Sequence, residues 1–363
     1  MLDESYIQIT LELAKKGKGI VSPRPLVGAI LVKNNKIISA AYRSSPHEES
    51  TVIIAIKNSK ESIEDSVLYT NIEPCTQCEN DLAGIDLLLQ SKIKKVVIGC
   101  VNPHPSFGSA AIKKLKKAGV EVKIGVLEKE CAELNKFYFK FCISSIPFVT
   151  LKMAETIDGK IADQNNNSKW ITSVESRSMV HELRSEYDAV LVGIKTVMID
   201  NPKLTVRLVE GRNPKRIILD SKLDIDPQLR LVKNNADKNL IVITSKKNKS
   251  KKRKLEKLYE KGVDVLFVSE KKEGRINLSS ALQKLGERNI VSILVEGGGK
   301  IFSAFLKEKL DDEVMIFIGP KILGNGISLT YNLGIKSLPK ALNYTIKDLE
   351  KIGEDALLRL VRR

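Results

Sequence analysis

Short runs of apolar residues alternate with amphipathic segments along the chain, which is the pattern of α/β proteins. In the first part of the chain, apolar runs predict strands at residues 27–32, 36–40, 66–70, 95–99 and 120–124. Apolar positions at helical spacing predict helices at residues 7–16, 50–58 and 109–118, and another that ends near residue 91. The segment 36–40 is expected to pair with the preceding strand as a hairpin.

A second series of elements begins after residues 143–147, a short segment that ends in a proline. Strands are predicted at residues 148–153, 189–192, 216–219, 240–244, 263–268, 291–295 and 313–318, with a helix at 174–186 and further helices between later strands. Because a single hydrophobic core rarely grows beyond about 250 residues, the 363 residues are expected to form two domains, residues 1–145 and 146–363.

The composition is typical of a protein that folds in a reducing compartment. Hydrophobic residues make up 42% of the chain, enough for two cores. No apolar run approaches the ~18 residues of a membrane span, and the opening residues lack the basic and apolar regions of a secretory signal. The five irregularly spaced cysteines favour reduced thiols over a disulfide framework. We therefore expect a cytoplasmic protein with no membrane partner.

Much of the formal net charge of +16 lies in one lysine-rich run, residues 246–254. No aromatic side chains interleave this run, as a surface that stacks on bases would require. We interpret the run as a solvated loop and helix start, and we expect no nucleic-acid partner. Alternatively, such a positive charge can serve to bind phosphorylated metabolites.

Two segments of the first domain carry a metal-site pattern. His47 and Glu49 form an H-x-E motif at the start of a predicted helix, and Cys75 and Cys78 form P-C-x-x-C after a predicted strand. This combination is the signature of zinc-dependent nucleobase deaminases. His47, Cys75 and Cys78 would hold Zn²⁺, and Glu49 would shuttle a proton between the activated water and the leaving amine. The alternative is a helix-capping histidine and ordinary buried thiols.

The whole chain resembles the bifunctional pyrimidine deaminase/reductases of riboflavin biosynthesis. The resemblance rests on residues 22–29 and 102–105 in the first domain, and on residues 147–162, 168–172, 188–197, 200–207, 294–299 and 319–326 in the second. It implies a cytidine-deaminase-like three-layer α/β domain followed by a dihydrofolate-reductase-like α/β domain. It also implies a phosphorylated pyrimidine substrate, NADPH and Zn²⁺ as cofactors, and a homo-oligomer.

The first domain departs from this family at several positions. Gly84 stands where the family has its second cysteine ligand, and Arg24 and Arg43 replace an asparagine and a histidine. A glycine offers no ligand atom, and zinc affinity falls steeply when a ligand is missing. Two interpretations stay open: the chain has both activities, or it is a reductase whose deaminase domain is inactive.

In the second domain, a predicted strand ends at Glu296 and three glycines lead into a helix. Glycines let the backbone approach a ligand closely, and a helix N-terminus offers unpaired N–H groups, so this turn suits a phosphate. Arg184 and Arg207 are candidates for the substrate phosphate because guanidinium groups bind phosphate with two hydrogen bonds. The alternative for the glycines is a simple tight turn without a ligand. The alternative for the two arginines is ion pairing at the surface.

The family resemblance assigns further residues in this domain. Those implied for the substrate are Ser168, Arg184, Leu204, Arg207 and Glu296. Those implied for the cofactor are Ala154, Trp170, Thr196, Asp200, Ser221, Gly298 and Gly299. The implied reaction is hydride transfer from NADPH to C1 of the opened ribose, with Asp200 or Glu296 assisting protonation. For Trp170, packing in the core is the alternative.

Two alternative functions are a nucleic-acid deaminase and a non-catalytic assembly protein. A nucleic-acid deaminase would explain the H-x-E motif and the basic charge, but it gives the second domain no role. A non-catalytic assembly protein would predict loss of both motif sets, whereas Trp170, Arg184, Arg207 and Glu296 all remain. The sequence therefore favours the reductase.

Overall fold

The computed structural model describes residues 2–74, 79–105, 109–271 and 274–363. The chain forms two units, Met1–Ser145 and Ile146–Arg363. No helix in the described ranges is both long and apolar enough to cross a membrane.

The strands of the first unit lie in one sheet with the order β2-β1-β3-β4-β5. β1 is antiparallel to both of its neighbours, whereas β3, β4 and β5 are parallel. The strand bounds are β1 Gly28–Lys33, β2 Lys36–Tyr42, β3 Val67–Ile72, β4 Lys95–Cys100 and β5 Glu121–Ile124. The helix bounds are α1 Asp3–Lys15, α2 Thr51–Lys57, α3 Glu79–Gln90, α4 Ala110–Lys117, α5 Glu128–Leu134 and α6 Lys136–Ser144.

Alternate residues of β1 enter two separate cores. Ala29 and Leu31 pack with residues of α2, α3 and α4. Ile30 and Val32 pack with residues of α1, α5 and α6. Because successive side chains of a strand point to opposite faces, the sheet is covered by helices on both faces. This confirms the predicted three-layer α/β class.

The second unit has a larger mixed sheet with the order β11-β10-β9-β8-β12-β6-β13-β16-β15. Its strands are β6 Phe148–Thr156, β8 Ala189–Gly193, β9 Lys215–Leu219, β10 Leu240–Ser245, β11 Asp264–Val268, β12 Ser292–Val295, β13 Glu313–Gly319, β15 Tyr344–Ile352 and β16 Asp355–Arg362, with a small pair β7 Lys160–Ala162 and β14 Ile327–Ser328. Its helices are α7 Val174–Glu186, α8 Ile194–Asp200, α9 Arg230–Lys233, α10 Lys252–Glu260, α11 Leu278–Gly286 and α12 Gly299–Glu308.

Strands β11 through β13 of this order run parallel, and the hairpin β15–β16 adds antiparallel strands at one edge. Parallel strands joined through helices align their carboxyl ends along one edge of the sheet, where ligands of open α/β sheets bind. The loops after β8, β9, β10 and β12 therefore lie along one line, in the order in which these strands are neighbours.

Candidate active sites

The zinc motif of the first unit is only partly described by the structure. Cys75 and Cys78 lie outside the described residues. Helix α2 begins at Thr51, so His47 and Glu49 lie in the exposed segment before it rather than in its first turn. Lys57 donates to both carboxylate oxygens of Glu49 at 2.7 Å, which makes Glu49 part of a surface ion pair.

Gly84 lies inside α3, where it is buried. A Cβ built at Gly84 would come within 3.1 Å of Ile53 Cγ1 and 3.5 Å of Ser50 Oγ. The position is thus turned toward α2, but it carries no side chain. Within the described ranges, no three His, Cys, Asp or Glu side chains are grouped to hold a metal.

In the second unit, the predicted cofactor residues follow the carboxyl ends of neighbouring strands. Thr196 lies just after β8, Ser221 just after β9, and Gly298 and Gly299 just after β12. Ala154 lies in the last third of β6, which pairs with β12. The fold brings these residues to one edge of the sheet because their strands are adjacent and parallel.

The glycine turn after β12 has room for a ligand at one position. A Cβ at Gly297 would lie 2.7 Å from Ile301 Cβ, and one at Gly299 would lie 2.7 Å from the Leu329 carbonyl oxygen, so packing requires glycine at both. At Gly298, the nearest described atom would be Thr196 Oγ1, at 3.8 Å. Gly298 is also the N-cap of α12, whose first N–H groups are available to an anion.

A buried ion pair lies at the centre of this edge. Arg184 on α7 donates from Nε to Glu296 Oε1 at 2.6 Å and from Nη2 to Glu296 Oε2 at 2.8 Å. The two side chains are only 12% and 10% exposed. Burial raises the pKa of Glu296, but Arg184 outweighs it and the pKa is lowered, so the carboxyl stays ionised. The guanidinium of Arg184, a residue predicted to bind the substrate phosphate, faces Glu296.

Lys152 on β6 belongs to the same cluster, although the sequence motifs do not include it. Burial lowers the pKa of its ammonium group, with a further contribution from Arg184, while Glu296 opposes the change. Its Nζ also lies 5.5 Å from the centre of the Phe317 ring. The signal for Lys152 was in the sequence, since it is a single charge within the apolar run 148–153.

The other residues predicted for the substrate and the cofactor differ in their exposure to solvent. Arg207 is exposed, and its Nη1 donates to the Thr205 carbonyl and hydroxyl oxygens at 3.0 and 2.9 Å. Leu204 is buried with a φ of 53°. Burial raises the pKa of Asp200, the last residue of α8.

Trp170 is 62% exposed, so it is not a core residue in this chain. The Arg177 guanidinium lies 4.2 Å from the centre of its ring, and Lys321 donates to its carbonyl oxygen. Ser168 lies nearby on the exposed segment before Trp170. An exposed indole is available for stacking on a planar ring.

His181 contacts both Arg184 of the ion pair and the backbone of Arg207. Its Nδ1 accepts a hydrogen bond from the Arg207 backbone N–H at 2.9 Å, and Arg184 Nη1 lies 3.5 Å from its Nε2. Burial lowers the pKa of His181 to about 4, and the charges of Arg184 and Arg207 contribute to the shift. The folded protein therefore keeps this imidazole neutral near neutral pH.

This shift predicts a loss of stability in acid. The unfolded chain takes up the proton near pH 6.5 and the folded chain near pH 4, so stability should fall progressively between these values. The loss is expected to be on the order of 3 kcal/mol. In His181→Asn, which keeps an acceptor for the Arg207 N–H, urea unfolding should lose this part of the pH dependence. An unchanged slope in that range would contradict the assignment.

Comparisons with known proteins cover both units. The model of the RibD C-terminal domain matches residues 147–358, and that of the cytidine and deoxycytidylate deaminase zinc-binding region matches residues 1–100. The riboflavin biosynthesis protein RibD of Aquifex aeolicus is 41% identical over 98% of each chain. That of Actinobacillus pleuropneumoniae is 35% identical over 99% of this chain and 96% of its own.

A solved structure shows the same two-domain architecture. It is a diaminohydroxyphosphoribosylaminopyrimidine deaminase/5-amino-6-(5-phosphoribosylamino)uracil reductase from Thermotoga maritima. It is 36% identical to this chain, covers 99% of both chains and superposes with a TM-score of 0.88.

Proposed function

We propose that this chain, which belongs to the RibD family of riboflavin biosynthesis proteins, reduces the ribosyl chain of 5-amino-6-(5-phosphoribosylamino)uracil to a ribityl chain with NADPH. The chain has both domains of that family, one deaminase-like and one a reductase domain. The observation that carries the proposal is the cluster of Arg184, Glu296 and Lys152 beside the open glycine turn at Gly298. We place the enzyme in the cytoplasm as a homo-oligomer, on the family resemblance alone.

The residues of the carboxyl edge fit a nicotinamide dinucleotide. Gly298 leaves room for a pyrophosphate at the N-terminus of α12, and the Thr196 hydroxyl faces the same space. When bound, NADPH supplies a hydride to C1 of the opened ribose. The chain's contribution is to position the two partners and to provide a proton.

For the substrate phosphate, Arg207 is the better placed of the two arginines. It is exposed and anchored to Thr205, whereas Arg184 already makes two hydrogen bonds to Glu296. Arg184 holds Glu296 in one orientation, where its ionised carboxylate can accept hydrogen bonds from substrate hydroxyl groups.

Among the residues of the cluster, Lys152 is the most suitable proton donor. Glu296 is kept ionised by Arg184 and has no proton to give. Asp200 is the last residue of α8, and burial raises its pKa, so it is the second candidate donor. Because burial lowers the pKa of the half-buried Lys152, its ammonium loses a proton more readily than that of an ordinary lysine. As the hydride forms the new C1–H bond, the C1–O bond of the ribose ring breaks, and donation of a proton to that oxygen would balance the step and leave a ribityl hydroxyl.

The experiment that tests the proposed reaction follows the hydride itself. NADPH deuterated at the transferable position should give a ribityl product one mass unit heavier, with the deuterium at C1. Product without the label, or no product, would contradict hydride transfer from this cofactor.

The preference for NADPH over NADH is proposed to come from the start of the lysine-rich run. Gly298, Thr196 and Ser221 follow β12, β8 and β9, and the next loop along this edge begins after β10 with Lys246 and Lys247. This loop is tied to the Ser221 segment. Asn248 Nδ2 donates to the Ser221 carbonyl oxygen at 2.8 Å, and Lys251 Nζ donates to that of Lys222 at 2.6 Å.

A dinucleotide that extends along this line would bring its 2′-phosphate close to Lys246, which is exposed. A charge-assisted hydrogen bond contributes about 1.5–3 kcal/mol, so Lys246→Ala should weaken NADPH binding by about 10- to 100-fold. NADH binding should be unchanged. Lys257→Ala on α10 is the matched control. Equal loss for both cofactors in a fluorescence titration would contradict the assignment.

A further inference from the structure

The second unit contains a buried histidine to which the proposed reaction assigns no role. His181 lies on α7, three residues before Arg184, and is 5% exposed. Its Nδ1 accepts a hydrogen bond from the Arg207 backbone N–H at 2.9 Å. Because that nitrogen accepts, the neutral ring carries its proton on Nε2. The hydrogen bond therefore fixes both the tautomer of His181 and the position of the Arg207 backbone.

The contact between His181 and Arg184 does not hold either side chain. His181 Nε2 lies 3.5 Å from Arg184 Nη1, and both atoms carry hydrogens, so neither can accept. Arg184 is instead held by its two hydrogen bonds to Glu296, at 2.6 and 2.8 Å. The hydrogen bond that the His181 side chain contributes to this region is therefore the one to Arg207.

Residues 204–207, here called the arginine loop, are fixed at both ends. At one end, Leu204 is buried with a φ of 53°, a conformation that a leucine keeps only when its surroundings enforce it. At the other end, the Arg207 backbone N–H is bound to His181. The hydrogen bonds made by the two residues between these ends are either longer or exposed. His181 is thus the buried anchor that acts directly on the backbone of Arg207.

The Arg207 guanidinium has two nitrogens to offer to a ligand. Nη1 donates to the carbonyl and hydroxyl oxygens of Thr205, whereas Nε and Nη2 have no hydrogen-bond partner in the part of the chain that the structure describes. Burial lowers the pKa of Arg207, and the charges of Arg184 and Arg230 lower it further, while Glu296 opposes the change. An excess of positive charge beside two adjacent N–H groups suits a phosphate monoester, which a guanidinium binds with two hydrogen bonds.

We infer that His181 is a positioning residue for the substrate phosphate. By accepting the Arg207 backbone N–H, it holds the arginine loop in the conformation that presents Nε and Nη2 of Arg207 to the phosphate. This inference rests on the proposed function, because the phosphate is that of the proposed reductase substrate. His181 itself does not touch the reacting atoms.

The role requires a neutral imidazole, because a protonated ring has no acceptor. The surroundings of His181 keep it neutral. Burial lowers its pKa to about 4, helped by the charges of Arg184, Arg207 and Lys152, while Glu296 opposes the change. The acceptor at Nδ1 is therefore present near neutral pH.

Substitutions of His181 test this role. Binding of 5-amino-6-(5-phosphoribosylamino)uracil without NADPH is followed by the fluorescence of Trp170, the single tryptophan of the chain, which lies in the second unit. His181→Leu removes the acceptor and His181→Gln moves it away from the position of Nδ1, so both should weaken binding about 5- to 10-fold, the scale of one hydrogen bond. His181→Asn, which keeps an oxygen close to that position, should retain most of the affinity. Thermal unfolding checks that each variant is folded.

The dephosphorylated form of the same compound is the control ligand. If His181 acts through Arg207, His181→Leu should lower the preference for the phosphorylated ligand, measured as the ratio of the two Kd values, about 5- to 10-fold. In an Arg207→Met background, where the guanidinium is absent, His181→Leu should cause no further loss. Equal loss for both ligands, or losses that add in the double variant, would overturn the inference.

The outcomes separate this inference from the proposed function. Phosphate-selective binding that depends on His181, without oxidation of NADPH, would support the role of His181 and contradict the reductase. Oxidation of NADPH by the wild-type chain, with unchanged affinity in His181→Leu, would overturn the role of His181 alone. A wild-type chain that binds both ligands equally would also overturn it, because the phosphate would then contribute nothing to binding.

Discussion

Replacing Lys152 by methionine is expected to lower the kcat of the reductase by about 100-fold or more, the range for loss of a general acid. Methionine keeps most of the side-chain length among the apolar neighbours of β6, so packing should change little. The Lys152 ammonium lies in the central cluster, and burial shifts its pKa toward proton release. Steady-state kinetics with saturating NADPH and substrate measure the effect.

The pH profile distinguishes proton donation from a structural role. Because burial lowers the pKa of Lys152, kcat/KM should decline on the alkaline side at a pH below the usual lysine range. In Lys152→Arg the charge stays but the proton is not released, so this decline should disappear while kcat remains low. A Lys152→Arg enzyme with the original activity and profile would show that Lys152 only provides charge.

Removing Arg184 is expected to produce the largest change in stability. Arg184→Met leaves the Glu296 carboxylate buried without its partner, and breaking such a pair costs about 3–5 kcal/mol. Urea unfolding should show a decrease of this size. Arg207→Met, which removes an exposed guanidinium, should cost less than about 1 kcal/mol and serves as the control.

A second substitution separates pairing from packing. The double variant Arg184→Met, Glu296→Leu has neither charge, so it should recover most of the lost stability while remaining inactive as a reductase. If the double variant is as unstable as Arg184→Met, the loss comes from packing of the arginine and the account of the pair is wrong.

Much of the fold could be predicted because the strands are apolar runs of the right length. The parallel strands of the second unit are buried on both faces, and such runs are visible in a sequence. The hairpin β15–β16 was not predicted. Strand β15 is exposed along most of its length and is rich in charged residues, as in an edge strand whose pairing is set by its neighbour rather than by burial.

The sequence predicts those parts of the site in which a motif determines the backbone conformation. It does not predict which side chains form hydrogen bonds or ion pairs with each other. The glycines after Glu296 indicate a close turn, and the structure shows which of them leaves space. The sequence could not show that Arg184 binds Glu296, because the two residues are 112 positions apart and are brought together only by the packing of α7 against the sheet edge. Similarly, the pairing of Glu49 with Lys57 depends on where α2 begins.

The measurement that tests the central claim most directly is NADPH consumption by the purified chain with 5-amino-6-(5-phosphoribosylamino)uracil. The proposed reductase predicts that NADPH absorbance falls by one equivalent for each substrate added, and that Lys152→Met slows this decrease about 100-fold or more. If the folded wild-type chain binds NADPH but does not oxidise it with this substrate, the proposed function is contradicted.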